Sequence, residues 1–194
     1  MMRSQGFTLI EVLIVIAVVA LLASLVIPVA GRAQDQAKLL SCRTRLRNLG
    51  LALTVYAYEH AGALPVSTQA DGPHGTLLAA MDAYLPQKEN FYCPSETAPE
   101  RRFSPENVEA GRIGYFYYSC RSASRNQEVS GFLRYDVRWP RELRDTMDPG
   151  TWVFSDVWFR GETTPHRYWR KGVNYLTLDG AVNMVEESPR KKFK

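Results

Sequence analysis

The sequence predicts an α+β protein: one long N-terminal helix whose second half packs on a small antiparallel β-sheet with irregular loops. Three observations carry that expectation. An apolar run fills 7–30, broken by a single charge at Glu11. A stripe of apolar side chains at three- and four-residue steps follows it. Beyond 63 the chain alternates short aromatic or β-branched runs with turn residues, as strands do. The 194 residues suffice for one domain with a core, carried on a stalk.

The first element is the apolar run. It exceeds the roughly 20 residues a helix needs to cross a bilayer. A secretory signal peptide would have an apolar stretch of roughly 7–15 residues and a small-residue cleavage site. Here the stretch is longer, Arg3 is the one basic side chain before it, and Pro28-Val29-Ala30 makes a poor cleavage site. A plain membrane anchor accounts for the length but not for Glu11. A carboxylate at the bilayer centre costs about 2.5–3.5 kcal/mol, less near the edge, and such residues usually mark function. A cut between Gly6 and Phe7 would place a new amino group about one helical turn from Glu11. Pro28 lacks the donor for an i→i−4 bond and permits a kink or local melting. Arg32, Lys38, Arg43, Arg45 and Arg47 follow the run, and by the positive-inside rule alone they would hold the body in the cytoplasm.

The helix is expected to continue through 31–62. Leu39, Cys42, Leu46, Leu49, Leu53, Tyr56 and His60 form its apolar stripe, while Arg43, Arg45, Arg47 and Asn48 lie off it. The arginines read as a solvated face. Gly62 and Pro65 end the helix. The body then spans 63–189, with a short helix at 76–85 and strands at 114–118, 151–157 and 173–178. Asp179-Gly180 reads as a two-residue hairpin turn into a last strand at 181–185, glycine supplying the positive φ. The stretches 94–112 and 159–172 read as irregular, and the basic tail 190–194 as disordered.

No catalytic motif appears: the chain has no hydrolase elbow, phosphate loop, zinc-protease helix or dinucleotide fingerprint. His60, His74 and His166 are scattered, and each reads as surface or satisfied core. The spacing of Cys42, Cys93 and Cys120 matches no zinc motif. Outside the cytoplasm one bridge becomes feasible. Cys93–Cys120 would close a loop worth about 3 kcal/mol, Cys42–Cys93 would staple helix to body, and three reduced thiols are the third alternative. The net charge of +4 does not by itself argue for nucleic acid. The interleaved arginines and aromatics of 112–125 could suit single-stranded DNA, but a strand with flanking loops explains them as well.

Gly6-Phe7-Thr8-Leu9-Ile10-Glu11 followed by an apolar helix resembles the prepilin cleavage and methylation motif of type IV pilins and type II secretion pseudopilins. Glycine precedes the cut, Phe7 begins the mature chain, Glu11 is its fifth residue and Pro28 its twenty-second. The resemblance implies a pilin fold with a leader over 1–6, removed by prepilin peptidase, and methylation of the Phe7 amine. It implies that Glu11 pairs with the Phe7 amine of a neighbouring subunit during assembly. The implied partners are the peptidase, other pilin or pseudopilin subunits, the inner-membrane assembly platform and membrane lipid. The motif also puts Gly6 on the cytoplasmic side and the body in the periplasm, against the charge rule.

The body resembles a pilin-like subgroup through Cys42 with 48–53 and Tyr56, Cys93-Pro94-Ser95, and Asn174-Tyr175-Leu176 with Asp179-Gly180. Many members have a histidine at the place of Trp169, ahead of the Asp-Gly pair; here the nearby histidine is His166. Resemblance to major pseudopilins makes Asp156, Glu162 and Asp179 calcium candidates; no other metal or cofactor is implied. The expected function is a non-enzymatic filament subunit. A DNA-binding minor pilin of a competence-type filament, or a membrane-anchored periplasmic binding module that never polymerises, are the alternatives.

Overall fold

The computed structural model describes residues 8–67, 75–118, 149–156, 166 and 172–186. Helix α1 spans Leu9–Glu59, 51 residues, and is continuous through Pro28. At 1.5 Å per residue it is about 77 Å long. It ends where the chain turns through Ala61 and Gly62, both at positive φ, with the Gly62 amide donating to the Ala57 carbonyl at 2.8 Å. Helix α2 covers Gly75–Ala80, shorter than the expected 76–85 because the chain leaves it as turns after Ala80. A 3-10 turn at Lys88–Phe91 packs against α1.

The stretch 94–112, expected to be irregular, contains helix α3 at Pro105–Glu109. Its start was legible. Ser104 caps it by accepting from the Asn107 amide at 3.2 Å, and Pro105 occupies the first helical position, where a missing N–H costs nothing.

Strands β1 (Tyr115–Tyr117), β2 (Trp152–Asp156), β3 (Gly172–Thr177) and β4 (Val182–Glu186) form one antiparallel sheet in the order β1-β2-β3-β4. The register shifts between Trp152 and Phe154, a bulge in β2. The last hairpin departs from the two-residue expectation. Leu176 pairs with Val182 and the Thr177 amide donates to the Ala181 carbonyl at 2.9 Å, so three residues, 178–180, form the loop. Leu178 belongs to the turn because its amide donates to the Thr151 carbonyl at 2.9 Å. Gly180 supplies the positive φ of 82° that such a loop needs at its end.

The core lies between the second half of α1 and the sheet. Cys42, Leu46, Leu49, Leu53 and Ala57 of α1 are buried against Phe91, Tyr92, Tyr115, Phe154 and Leu176, among others. The predicted stripe therefore meets the body from Cys42 to Leu53. Leu39 and Tyr56 are half-buried, and His60 is exposed but stacks on Tyr56 with ring centroids 3.8 Å apart. The arginines correct the sequence reading. Arg45 Nη1 donates to the Tyr92 carbonyl at 2.8 Å and Arg43 Nε to Asn174 Oδ1 at 3.2 Å. Their long stems reach around the helix flank to the body, which a stripe drawn from Cβ positions does not register. Arg47 is exposed as expected.

Candidate functional site

The N-terminal half of α1 is apolar and exposed. From Leu9 to Val29 its large side chains are each at least half exposed, and none enters the core. The helix is long and apolar enough to cross a membrane. Its start is organised by a capping box. Thr8 Oγ1 accepts from the Glu11 amide at 3.4 Å, and Glu11 Oε2 accepts from the Thr8 amide at 2.8 Å and the Thr8 hydroxyl at 2.7 Å. The threonine three residues before Glu11 announces this arrangement in the sequence, and the reading above missed it. Its consequence is directional: the Glu11 carboxylate folds back toward the N-terminal end of the helix, where Phe7 precedes Thr8. Gly6 and Phe7 lie outside the described residues.

A second constellation lies at the far end of the same helix. Cys42 on α1, Cys93 after the 3-10 turn, Asp156 at the end of β2, and His166, which bridges to Gly172, converge from four segments. Their exposures are 0%, 2%, 0% and 6%, so the group is closed to solvent. Two sulfurs, an imidazole nitrogen and a carboxylate oxygen all lie within 4.8 Å of one another. The Cys42 thiol donates to Asp156 Oδ1 at 3.2 Å, Cys93 Sγ is 3.5 Å from His166 Nε2, and that nitrogen is 3.4 Å from Asp156 Oδ2.

Asn174 organises the surroundings. Its amide donates to Asp156 Oδ2 at 2.8 Å, and its Nδ2 to the same oxygen at 2.9 Å and to Cys42 Sγ at 3.7 Å, while its Oδ1 accepts from Arg43. The Tyr115 hydroxyl lies 3.4 Å from Cys42 Sγ. Gly114 sets the approach of Cys93. A Cβ there would sit 2.5 Å from the Arg101 carbonyl and 3.2 Å from the Cys93 amide nitrogen, both backbone atoms that cannot rotate away.

Burial pushes the Cys42 thiol well up, with the Cys93 hydrogen bond and the Asp156 charge adding to it; burial likewise raises Cys93. Burial alone would lower His166, but its hydrogen bond to the Asp156 carboxylate outweighs that and carries it to about 10.

Several sequence-predicted residues fall elsewhere. Cys42 and Cys93 are both free thiols, and Cys120 lies outside the described residues, as do His74, Glu162 and Trp169. Asp156 and Asp179 do not share a site. Asp156 closes β2 beside Asn174, whereas Asp179 sits in the β3–β4 turn at the other end of the sheet, its Oδ1 accepting from Thr177 Oγ1 at 2.6 Å and the Ala181 amide at 3.0 Å. Thr177 and Ala181 depress its carboxyl below the ordinary aspartate range. His166, read as surface or satisfied core, is buried and partnered, and its neighbours are two cysteines and an aspartate. Arg43 and Asn174 were not singled out for function at all. Among 112–118, Tyr115, Tyr117 and Tyr118 are buried and offer no face for stacking bases; 119–125 lie outside the described residues.

A long N-terminal helix, apolar and bare in its first half and packed in its second on a small antiparallel sheet, is the architecture of the pilin fold. The family model for the prokaryotic N-terminal methylation motif matches residues 1–27, so this chain carries the type IV pilin and pseudopilin signature at its N-terminus. That motif implies processing by prepilin peptidase and assembly with other pilin-type subunits. Comparison with curated proteins and with solved structures gives no match.

Proposed function

We propose that this chain is a structural subunit of a type II secretion or type IV pilus-like filament, with its N-terminus cytoplasmic and its body periplasmic before assembly. One observation carries the reading: a bare apolar half-helix opens on a carboxylate held toward a prepilin cleavage site. Cleavage after Gly6 exposes the Phe7 amine, which methylation leaves charged. In an assembled filament the Glu11 carboxylate neutralises the Phe7 amine of an adjacent subunit, and a subunit lacking either group strands the other in an apolar core. The buried tyrosines of β1 weigh against the DNA-binding alternative.

Two measurements test the proposal. Intact mass of the membrane-extracted protein is expected to give a chain beginning at methylated Phe7; a terminus after Ala30 would restore the signal-peptide reading. Glu11→Ala is expected to leave membrane insertion intact, since the helix becomes more apolar, while in-cell crosslinking loses its ladder. Equal ladders from both proteins would leave a membrane anchor that does not polymerise.

A further inference from the structure

We infer that Cys42, Cys93, Asp156 and His166 hold a tetrahedral zinc ion that fastens α1 to the sheet. The donor set is the first argument. Two thiolates, an imidazole and a carboxylate are the ligands zinc takes in closed four-coordinate sites, and soft sulfur excludes magnesium and calcium as the natural occupant.

Geometry is the second. With zinc–sulfur bonds of about 2.3 Å and zinc–nitrogen or –oxygen bonds of about 2.0 Å, a tetrahedron has edges of about 3.3–3.8 Å. Cys93 Sγ to His166 Nε2 is 3.5 Å and His166 Nε2 to Asp156 Oδ2 is 3.4 Å, both within that range; Cys42 Sγ lies 3.2 Å from the other carboxylate oxygen, Oδ1, and one donor atom from each of the four residues lies within 4.8 Å of the rest. The four donors come from four segments, of which those of Asp156 and His166 alone are near in the chain, so their convergence is not a by-product of one turn.

The outer contacts are the third. Metal ligands are commonly fixed by hydrogen bonds from outside the coordination sphere. Asn174 donates to Asp156 and to Cys42 and is itself held by Arg43, while the Tyr115 hydroxyl reaches Cys42. On binding, the ion replaces the two thiol protons and the Nε2 proton that His166 holds against Asp156, and all three pass to solvent. Two thiolates and a carboxylate then surround a dication, and these donors face the remaining negative charge. The site is buried and complete with four protein ligands, which makes it structural rather than catalytic.

The test uses the full chain, extracted from zinc-replete cells in mild detergent without chelator. Elemental analysis is expected to give about one zinc per chain. Exchange with Co2+ is expected to produce the visible bands of tetrahedral cobalt together with thiolate-to-cobalt charge transfer. Cys93→Ser and His166→Ala should each lower zinc affinity by about 10-fold or more, whereas Cys120→Ser and Asp179→Asn should retain the full complement. The cobalt spectrum of the unaltered chain decides independently of whether the first two variants fold. A Cys42–Cys93 disulfide with no metal uptake after reduction would overturn the proposal. So would free thiols that take up neither zinc nor cobalt, or zinc retained in full by both Cys93→Ser and His166→Ala.

Discussion

The two halves of α1 share one continuous backbone and differ in what completes them. From Leu9 to Val29 the apolar surface runs all round the helix and, among the described residues, joins no part of the core. A helix apolar on every side is stable only inside lipid or among other apolar helices. From Cys42 to Ala57 one apolar stripe, through Leu46, Leu49 and Leu53, is covered by the body, while Leu51 and Val55 off it stay exposed. The first half is thus written for other molecules and the second for its own domain. Glu11 and Cys42 mark this division: each is a polar or reactive group in an apolar setting. In the proposed filament Glu11 takes its partner from another subunit, while Cys42 meets its partners within the fold.

That contrast can be broken at several points. The largest effect is expected from Leu46→Ala or Leu49→Ala, each fully buried, at a cost of about 2–5 kcal/mol. Leu13→Ala and Leu22→Ala, in the bare half, should leave the body's unfolding within about 0.5 kcal/mol of the parent. Thermal melts followed by near-UV circular dichroism compare them; equal losses in both halves would mean that the body does not depend on the docked stripe. A chain beginning at Gln34 should likewise fold in water without detergent, and its aggregation would show that the apolar half supports the body after all.

Next in size is Gly114→Ala. The added methyl meets backbone atoms on two sides, and overpacking of this kind costs about 1–3 kcal/mol. A melt matching the parent would show that the loop carrying Cys93 yields freely.

Arg45→Ala should cost about 1–2 kcal/mol through the lost bond to the Tyr92 carbonyl, while Arg47→Ala costs under about 0.5 kcal/mol. Equality of the two would return both arginines to a solvated face. The smallest effect belongs to Asp179. Its carboxyl is depressed by Thr177 and Ala181, so its contribution is present above the unfolded value near pH 4 and fades as pH falls through the lower folded value. Asp179→Asn should slightly flatten the fall of melting temperature below pH 4; an unchanged slope would remove that contribution.

Much of this architecture was legible in the residues because it rests on local periodicity. An apolar run longer than a bilayer, a 3-4 stripe and an Asp-Gly turn each report on their own segment, and α1 and the four strands lie close to where those patterns put them. The prepilin motif is equally local, since peptidase and methylase act on consecutive residues. Errors of one residue, as at the Asp179-Gly180 loop, arose where a contact from another strand settled the register. The cysteine, aspartate and histidine cluster was not legible. Residues 42, 93, 156 and 166 stand dozens of positions apart in every pair but Asp156 and His166, and no spacing rule links them. Only the packing of α1 across the sheet, with Asn174 and Gly114 fixing the approach, brings four donors to one point. Sequence by itself determined which half of the helix faces outward. The tertiary structure decided which side chains meet, because meeting depends on long-range packing that local pattern does not encode.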